Sequence, residues 1–269
     1  MKILRVAASI CSCMFLFVLC ALFALPAVPA WAADFEFKGE IKAQDPTSRL
    51  LAHYVDAFTP EDLFLIIDEQ PDDTGRFRDL YMDLTGVLID GVRVDKLTFR
   101  MNDVQFNPPS EWAAGNVECG DALQIYARCL LKEDDINRKL ASETFGKDDH
   151  WQNISMKISA DGLSARGTYV AKILFVALNI LIEVDSDLKI LENRELWLDD
   201  YKVRVNALDV PDYITRKAIA QIQPLLDLGN FPLPLKLHKV EFQEGQAALS
   251  TRILPNPIEG GITYRYRAE

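Results

Sequence analysis

The sequence predicts an α+β protein, a mainly antiparallel β-sheet accompanied by a few helices. Three observations carry this expectation. Asp90-Gly91 and Asp161-Gly162 each separate two runs of period-two apolar residues, as tight hairpin turns do. Two stretches, Leu50 to Phe58 and Leu131 to Phe145, instead space their apolar residues as helices do. Finally, 13 of the 17 residues from Thr168 to Val184 are apolar, and β-branched and aromatic types abound among them. Lys172, Asn179 and Glu183 speak against a membrane-spanning helix, so this run reads as a strand apolar on both faces. Such a strand needs a second apolar partner, which is either protein or lipid.

From the N-terminus, Lys2 and Arg5 precede an uncharged apolar stretch that ends in Pro26, Pro29 and Ala30-Trp31-Ala32, the pattern of a secretory signal peptide. Residues 1–32 are expected to be removed by cleavage after Ala32, the alternative being an uncleaved anchor. Cys20 follows the bulky Leu19 and Cys13 comes too early, so neither reads as a lipidated cysteine. Cleavage would take two of the 29 basic residues and none of the 40 acidic ones, leaving a chain two units more acidic than −11. Strong acidity and the lack of a Lys/Arg stripe argue against nucleic acid, and any membrane encounter would rest on a local apolar rim. Of five cysteines only Cys119 and Cys129 would remain after export, and an oxidising compartment favours a disulfide between them. Two separately buried thiols are the alternative.

Residues 33–75 read as an N-terminal helical segment, packed as one unit with a β-rich domain over 76–269. In the first segment Leu50, Leu51, Tyr54, Val55 and Phe58 lie on one helical stripe. Thr59-Pro60-Glu61-Asp62 then supplies the cap, the N1 proline and the first-turn acids of a second short helix through Ile67. Beyond the break at Gln70 to Gly75, Leu80, Met82 and Leu84 alternate with polar neighbours. After Asp90-Gly91, Val92 and Val94 are followed by Leu97, Phe99 and Met101 on the opposite parity, which predicts a bulge near Asp95-Lys96. Ile136 and Leu140 mark a helix over 131–145. Ile154, Met156 and Ile158 lead through Asp161-Gly162 to Leu163, Ala165, Gly167 and the apolar run.

Asp185 to Glu195 is polar, and Tyr201, Val203 and Val205 then alternate with Lys202 and Arg204 as a strand with one wet face. Pro211 to about Asp227 reads as a helix with Ile214, Ala218, Ile222 and Leu225 on its stripe, which core packing alone explains. FPLPLKLHKVEF, Glu244-Gly245 and AALST form an edge-like hairpin, since Pro232 and Pro234 cannot donate to a ladder. A last short strand spans Gly261 to Arg267.

Catalytic signatures are missing. His53, His150 and His238 are scattered, and there is no HExxH, GxSxG, phosphate-binding glycine loop or dinucleotide fingerprint. No enzyme activity, cofactor or metal is therefore expected. The acidic pairs Asp72-Asp73, Asp134-Asp135, Asp148-Asp149 and Asp199-Asp200 fit solvated turns and helix starts better than cation sites. Asn153-Ile154-Ser155 is a glycosylation sequon that matters only in a glycosylating host.

Between about Leu80 and Thr251 the sequence resembles the LmeA-like phospholipid-binding family of bacterial envelope proteins. The resemblance lies in Lys132-Glu133-Asp134-Asp135-Ile136-Asn137, in Ser159-Ala160-Asp161-Gly162-Leu163, and in the segment from Val210-Pro211 to Asn230-Phe231-Pro232-Leu233-Pro234. It implies an exported protein of the periplasm or envelope that binds, and transfers, phospholipid or another acyl lipid. It also implies a tubular lipid-binding-like fold, with a curved antiparallel sheet wrapped around helices. The helical extension Asp45 to Ile67 is less typical of that family, and its expected role is to plug or cover one end of the sheet. Each buried methylene is worth about 0.8 kcal/mol, so one acyl chain is worth on the order of 10 kcal/mol. At about 3.3 Å per residue, an unbroken 17-residue strand would reach roughly 55 Å, more than one leaflet's hydrocarbon. The candidate lining residues of an apolar cavity are Phe175, Leu178, Ile180, Ile182, Ile222 and Leu225. The competing expectation is a structural or interaction protein of the envelope, whose apolar run is a covered core strand and whose edge near Phe231 to Leu237 pairs with a protein partner.

Overall fold

The computed structural model describes residues 34–42, 45–89, 91–142, 151–173, 176–220, 223–230, 233 and 235–269. Residues 33–269 form one compact unit. Its architecture is the expected α+β one, with two open, almost wholly antiparallel sheets. In chain order the elements of the larger sheet are β1 (Phe35–Lys38), β2 (Asp62–Ile67), β3 (Arg76–Ile89), β4 (Val92–Phe106), β5 (Cys119–Lys132), β12 (Lys239–Gln243), β13 (Gln246–Ser250) and β14 (Ile262–Arg267). They lie side by side as β1-β14-β2-β3-β4-β5-β13-β12, and only β1 and β14 run parallel. The smaller sheet holds β6 (Trp151–Ser159), β7 (Gly162–Ile173), β8 (Val176–Leu191), β9 (Glu195–Val205) and β10 (Leu208–Asp209) in the order β10-β9-β8-β7-β6. The two-residue strand β11 (Leu226–Asp227) also pairs with β9. Three α-helices complete the described chain: α1 (Pro46–Phe58), α2 (Glu133–Ser142) and α3 (Asp212–Ile219).

Helix α1 begins where Asp45 accepts the Ser48 N–H at 3.0 Å, with Pro46 in its first turn. Its apolar stripe, Leu50, Leu51, Tyr54 and Phe58, is buried in the main core. The helix ends at Thr59, which takes the left-handed conformation and donates its N–H to the Val55 carbonyl at 2.8 Å. The expected second helix does not follow. Asp62–Ile67 is a strand between β14 and β3, with Leu63, Leu65 and Ile67 turned to the α1 side and Ile66 packed with Tyr81 and Ile258 on the other. Burial on both faces removes the alternation that would have marked it as a strand, and a short continuous apolar run has no distinguishing period.

The β3–β4 hairpin closes on the pair Ile89↔Val92, and Leu80, Met82 and Leu84 face the core opposite Met101, Phe99 and Leu97. Both strands change parity at the opposed but unpaired Gly86/Asp95, where Gly86 adopts φ 68°; the register is the same on either side, so the bulge expected near Asp95-Lys96 does not form. A second change, at Arg78/Asp103 with Asp103 at φ 46°, returns Phe77 and Val104 to the core. Strand β5, weakly patterned in sequence, continues the sheet with Ile125, Ala127, Cys129 and Leu131 on the core side.

Cys119 pairs with Phe106 and Cys129 with Leu97 on this same extended strand. Ten residues at about 3.3 Å each separate them by roughly 33 Å, whereas a disulfide requires Cα atoms within about 7 Å. The expected Cys119–Cys129 disulfide is therefore overturned, and both thiols are free.

Two further expectations change in the second half. Helix α3 stops at Ile219, well short of Asp227, and residues 226–227 instead pair with Leu196 and Glu195. Its buried side carries Thr215 and Ile219, while Ile214 is exposed. The described residues of the proline-punctuated segment, 233 and 235–238, form no sheet edge, because Leu233 and Leu237 are buried core residues and the Leu237 N–H donates to the Asn193 carbonyl. Only the hairpin about Glu244-Gly245 forms as expected, as β12 and β13. Leu249, Val240, Ala247 and Phe242 of that hairpin join the sheets by packing with Leu188, Ile190, Leu196, Ile158 and Leu163.

Candidate functional site

The apolar run from Thr168 to Val184 is not one long strand but a hairpin. Its first part belongs to β7 and its last to β8, with the closing register Ile173↔Val176. This solves the problem of two apolar faces. Directly paired residues of antiparallel strands share a face, so odd positions of β7 join even positions of β8. Tyr169 pairs with Ile180, Gly167 with Ile182 and Ala165 with Val184. The rows extend across the sheet: Ile182 pairs with Val205 and Val205 with Leu208, while Val184 pairs with Val203 and Ala165 with Met156. One sheet face thus carries apolar residues across five strands. At its lower end Ile158, Leu163 and Leu188 are covered by the β12–β13 hairpin. Towards the hairpin tip the same face opens: Tyr169, Ile180, Ile182, Val184, Val203 and Val205 are half-buried, Leu178 is 45% exposed and Leu208 74%. Contiguous exposed apolar surface of this kind marks an interaction site.

The opposite face is polar away from the hairpin tip, while Val170 and the 38%-exposed Leu181 lie on it nearer the tip. Ser155, Lys157, Ser164, Arg166, Glu183, Asp185 and Arg204 line an open cavity of about 420 Å³ together with Glu133 and Asn137 of α2. Arg204 sits 2.8 Å from Asp185 and 3.8 Å from Glu183, Ser164 donates to Asp185, and Arg166 donates to Ser155. Arg204 is thus paired with both carboxylates, and Lys157 with Glu244 at 3.6 Å. Along β6 the sheet edge is occupied by side chains of α2: Asn137 both donates to the Met156 carbonyl and accepts its N–H, each at 2.7 Å, and Glu133 accepts the Ile158 N–H. The acidic pair Asp134-Asp135 is not a solvated helix start at both positions, for Asp135 is buried between Arg93 and Arg138. Among the described residues no group of three or more His, Cys, Asp or Glu is placed to hold a metal ion. Burial pushes the Cys119 thiol up to about 11 and the Cys129 thiol to about 12, far from the thiolate a nucleophile needs.

Of the six sequence-derived lining residues, Leu178, Ile180 and Ile182 share the open face. Leu225 is 42% exposed and donates its N–H to the Leu196 carbonyl of β9. Phe175 and Ile222 lie outside the described residues. Tyr169, Val184, Val203, Val205 and Leu208 belong to the face as well. Tyr169 and Val184 stand in the apolar run itself, whereas Val203 and Val205 carried an alternation that marks a one-sided strand without saying what covers its dry side.

These features define a β-rich protein with an open apolar sheet face. Residues 74–252 match the family described as LmeA-like phospholipid-binding, and the chain belongs to that family. The match runs from β3 to β13 and leaves out β1, α1, β2 and β14. No curated protein and no solved structure matches the chain.

Proposed function

We propose that this protein is an exported, non-catalytic phospholipid-binding protein of the bacterial envelope, its acyl-chain site being the open face of β7, β8 and β9. Membership of a phospholipid-binding family supports the ligand class. The single observation that carries the placement is the continuity of apolar rows from the dry core at Leu163 and Leu188 to the exposed Leu178 and Leu208. A chain laid along these rows loses water contact on one side at about 0.8 kcal/mol per buried methylene. The basic, apolar and small-residue pattern of residues 1–32 supports export. Release to an acceptor membrane is consistent with a face that is open rather than enclosed.

Native mass spectrometry of protein mixed with a short-chain phosphatidylcholine tests the function. Wild type is expected to retain lipid, and Ile182→Asp to stay folded while retaining at least about tenfold less, because a carboxylate on the face is desolvated by the chain. No retention by wild type, or unchanged retention by Ile182→Asp, would overturn it.

A further inference from the structure

Resting on the phospholipid function above, we infer that helix α3 and the β9–β10 turn form the surface by which this protein docks on an anionic phospholipid bilayer. Thr215 and Ile219, one turn apart, are the buried side of α3. At 100° per residue the opposite side carries Tyr213 and Lys217, again one turn apart, flanked by Ile214 and Arg216. All four are exposed, Tyr213 by 64% and Ile214 by 44%. Asp212 stands in the first turn, where the helix dipole favours a carboxylate, and the two cations stand in the last.

Among the described residues neither Arg216 nor Lys217 is in an ion pair. On a chain of 40 acidic and 29 basic residues, an unpaired basic couple beside exposed Tyr and Ile is complementary to an anionic interface. Tyrosine and long cationic side chains suit that depth, having apolar bodies and polar tips. Continuity with the lipid face comes from Leu208, which precedes α3 by four residues and ends the row Ile182–Val205–Leu208. A bilayer touching α3 therefore touches the mouth of the apolar face.

The test uses the full chain with Tyr213→Trp as a local reporter and vesicles with and without phosphatidylglycerol. The emission of Tyr213→Trp, less that of wild type, should shift to the blue with phosphatidylglycerol vesicles and recover in high salt. In the same background R216E/K217E should bind those vesicles at least about tenfold more weakly while retaining short-chain phosphatidylcholine as wild type does. R216Q/K217Q carries the same test if the charge reversal impairs folding. An unshifted emission from the Tyr213→Trp reporter, or unchanged binding of the charge variants, would overturn the docking surface. Docking without retention of short-chain lipid would support this surface and remove the lipid-carrying function. Retention without docking would do the reverse.

Discussion

Arg93 holds three carboxylates at once: Glu61 through two 2.9 Å bonds, Asp135 at 3.1 Å and Asp95 at 3.4 Å. The Asp135 side chain is 1% exposed, so removing the guanidinium leaves a desolvated charge with Arg138 as its remaining partner. Arg93→Ala is expected to cost about 3 kcal/mol in urea unfolding, the lower end of what breaking a buried pair costs. Glu61→Gln should cost far less, since that carboxylate is mostly exposed. A second set of residues governs the alkaline side. Burial raises the thiols of Cys119 and Cys129 from 9.0 to about 11 and about 12, and raises the Tyr264 hydroxyl from 10.0 to about 12. A raised value means that the folded state keeps a proton the unfolded chain has already released. The stabilisation is intact below about pH 9 and is lost as pH rises from there through the folded values. The urea midpoint at pH 10.5 should accordingly lie below that at pH 8, with a smaller drop in Cys129→Ala. Both thiols should alkylate in unfolded, unreduced protein, because the strand that carries them keeps them apart. Thiol counting in the sequence made a disulfide attractive, and the missing information was that every residue between them is extended.

At the scale of elements, the edge of the smaller sheet depends on side chains of α2, Asn137 foremost. Asn137 replaces a neighbouring strand for Met156, and Asn137→Ala would leave a backbone donor and acceptor of β6 without those partners. A loss of about 1–2 kcal/mol, with faster hydrogen exchange at the Met156 amide, is expected. The two ends of the apolar face should also respond differently. Ile158→Ala, at a fully buried site, is expected to cost about 2–5 kcal/mol, whereas Ile182→Ala, half-exposed, should cost less than half as much. Calorimetry of the two variants checks the division between core and site. The elements legible in sequence were those whose turns state themselves: 90–91, Asp161-Gly162 and Glu244-Gly245 pin three hairpins. Those that were not legible lack a one-sided partner. Asp62–Ile67 is covered on both faces and so loses its alternation, and β5 mixes exposed and half-buried residues with no clear period. Half of the apolar face could be read from the run of residues 168–184; its division into two strands could not, because no Gly, Asn or Asp stands between Ile173 and Val176.

For the molecule as a whole, the larger sheet is closed to local repair by its chain ends. Strand β14 lies between β1 and β2, and its fully buried Tyr264 stacks on Phe35 with centroids 4.7 Å apart. The Tyr264 hydroxyl accepts from Gln70 at 2.6 Å and donates to Asp45 at 3.1 Å, which ties the last strand to the start of α1. Ending the chain after Gly261 should therefore abolish the cooperative urea transition, not trim it, although those residues lie outside the stretch that matches the family. The α+β class, the hairpin turns, the acidity and the family were all legible in the amino-acid order, because turn chemistry, period and composition are local properties. It took the folded chain to reveal that the apolar run folds back on itself, that residues of both parities reach one face, and that two cysteines ten residues apart never meet. Each of these depends on which strand lies beside which, and pairing across long separations leaves no trace in any single window of sequence.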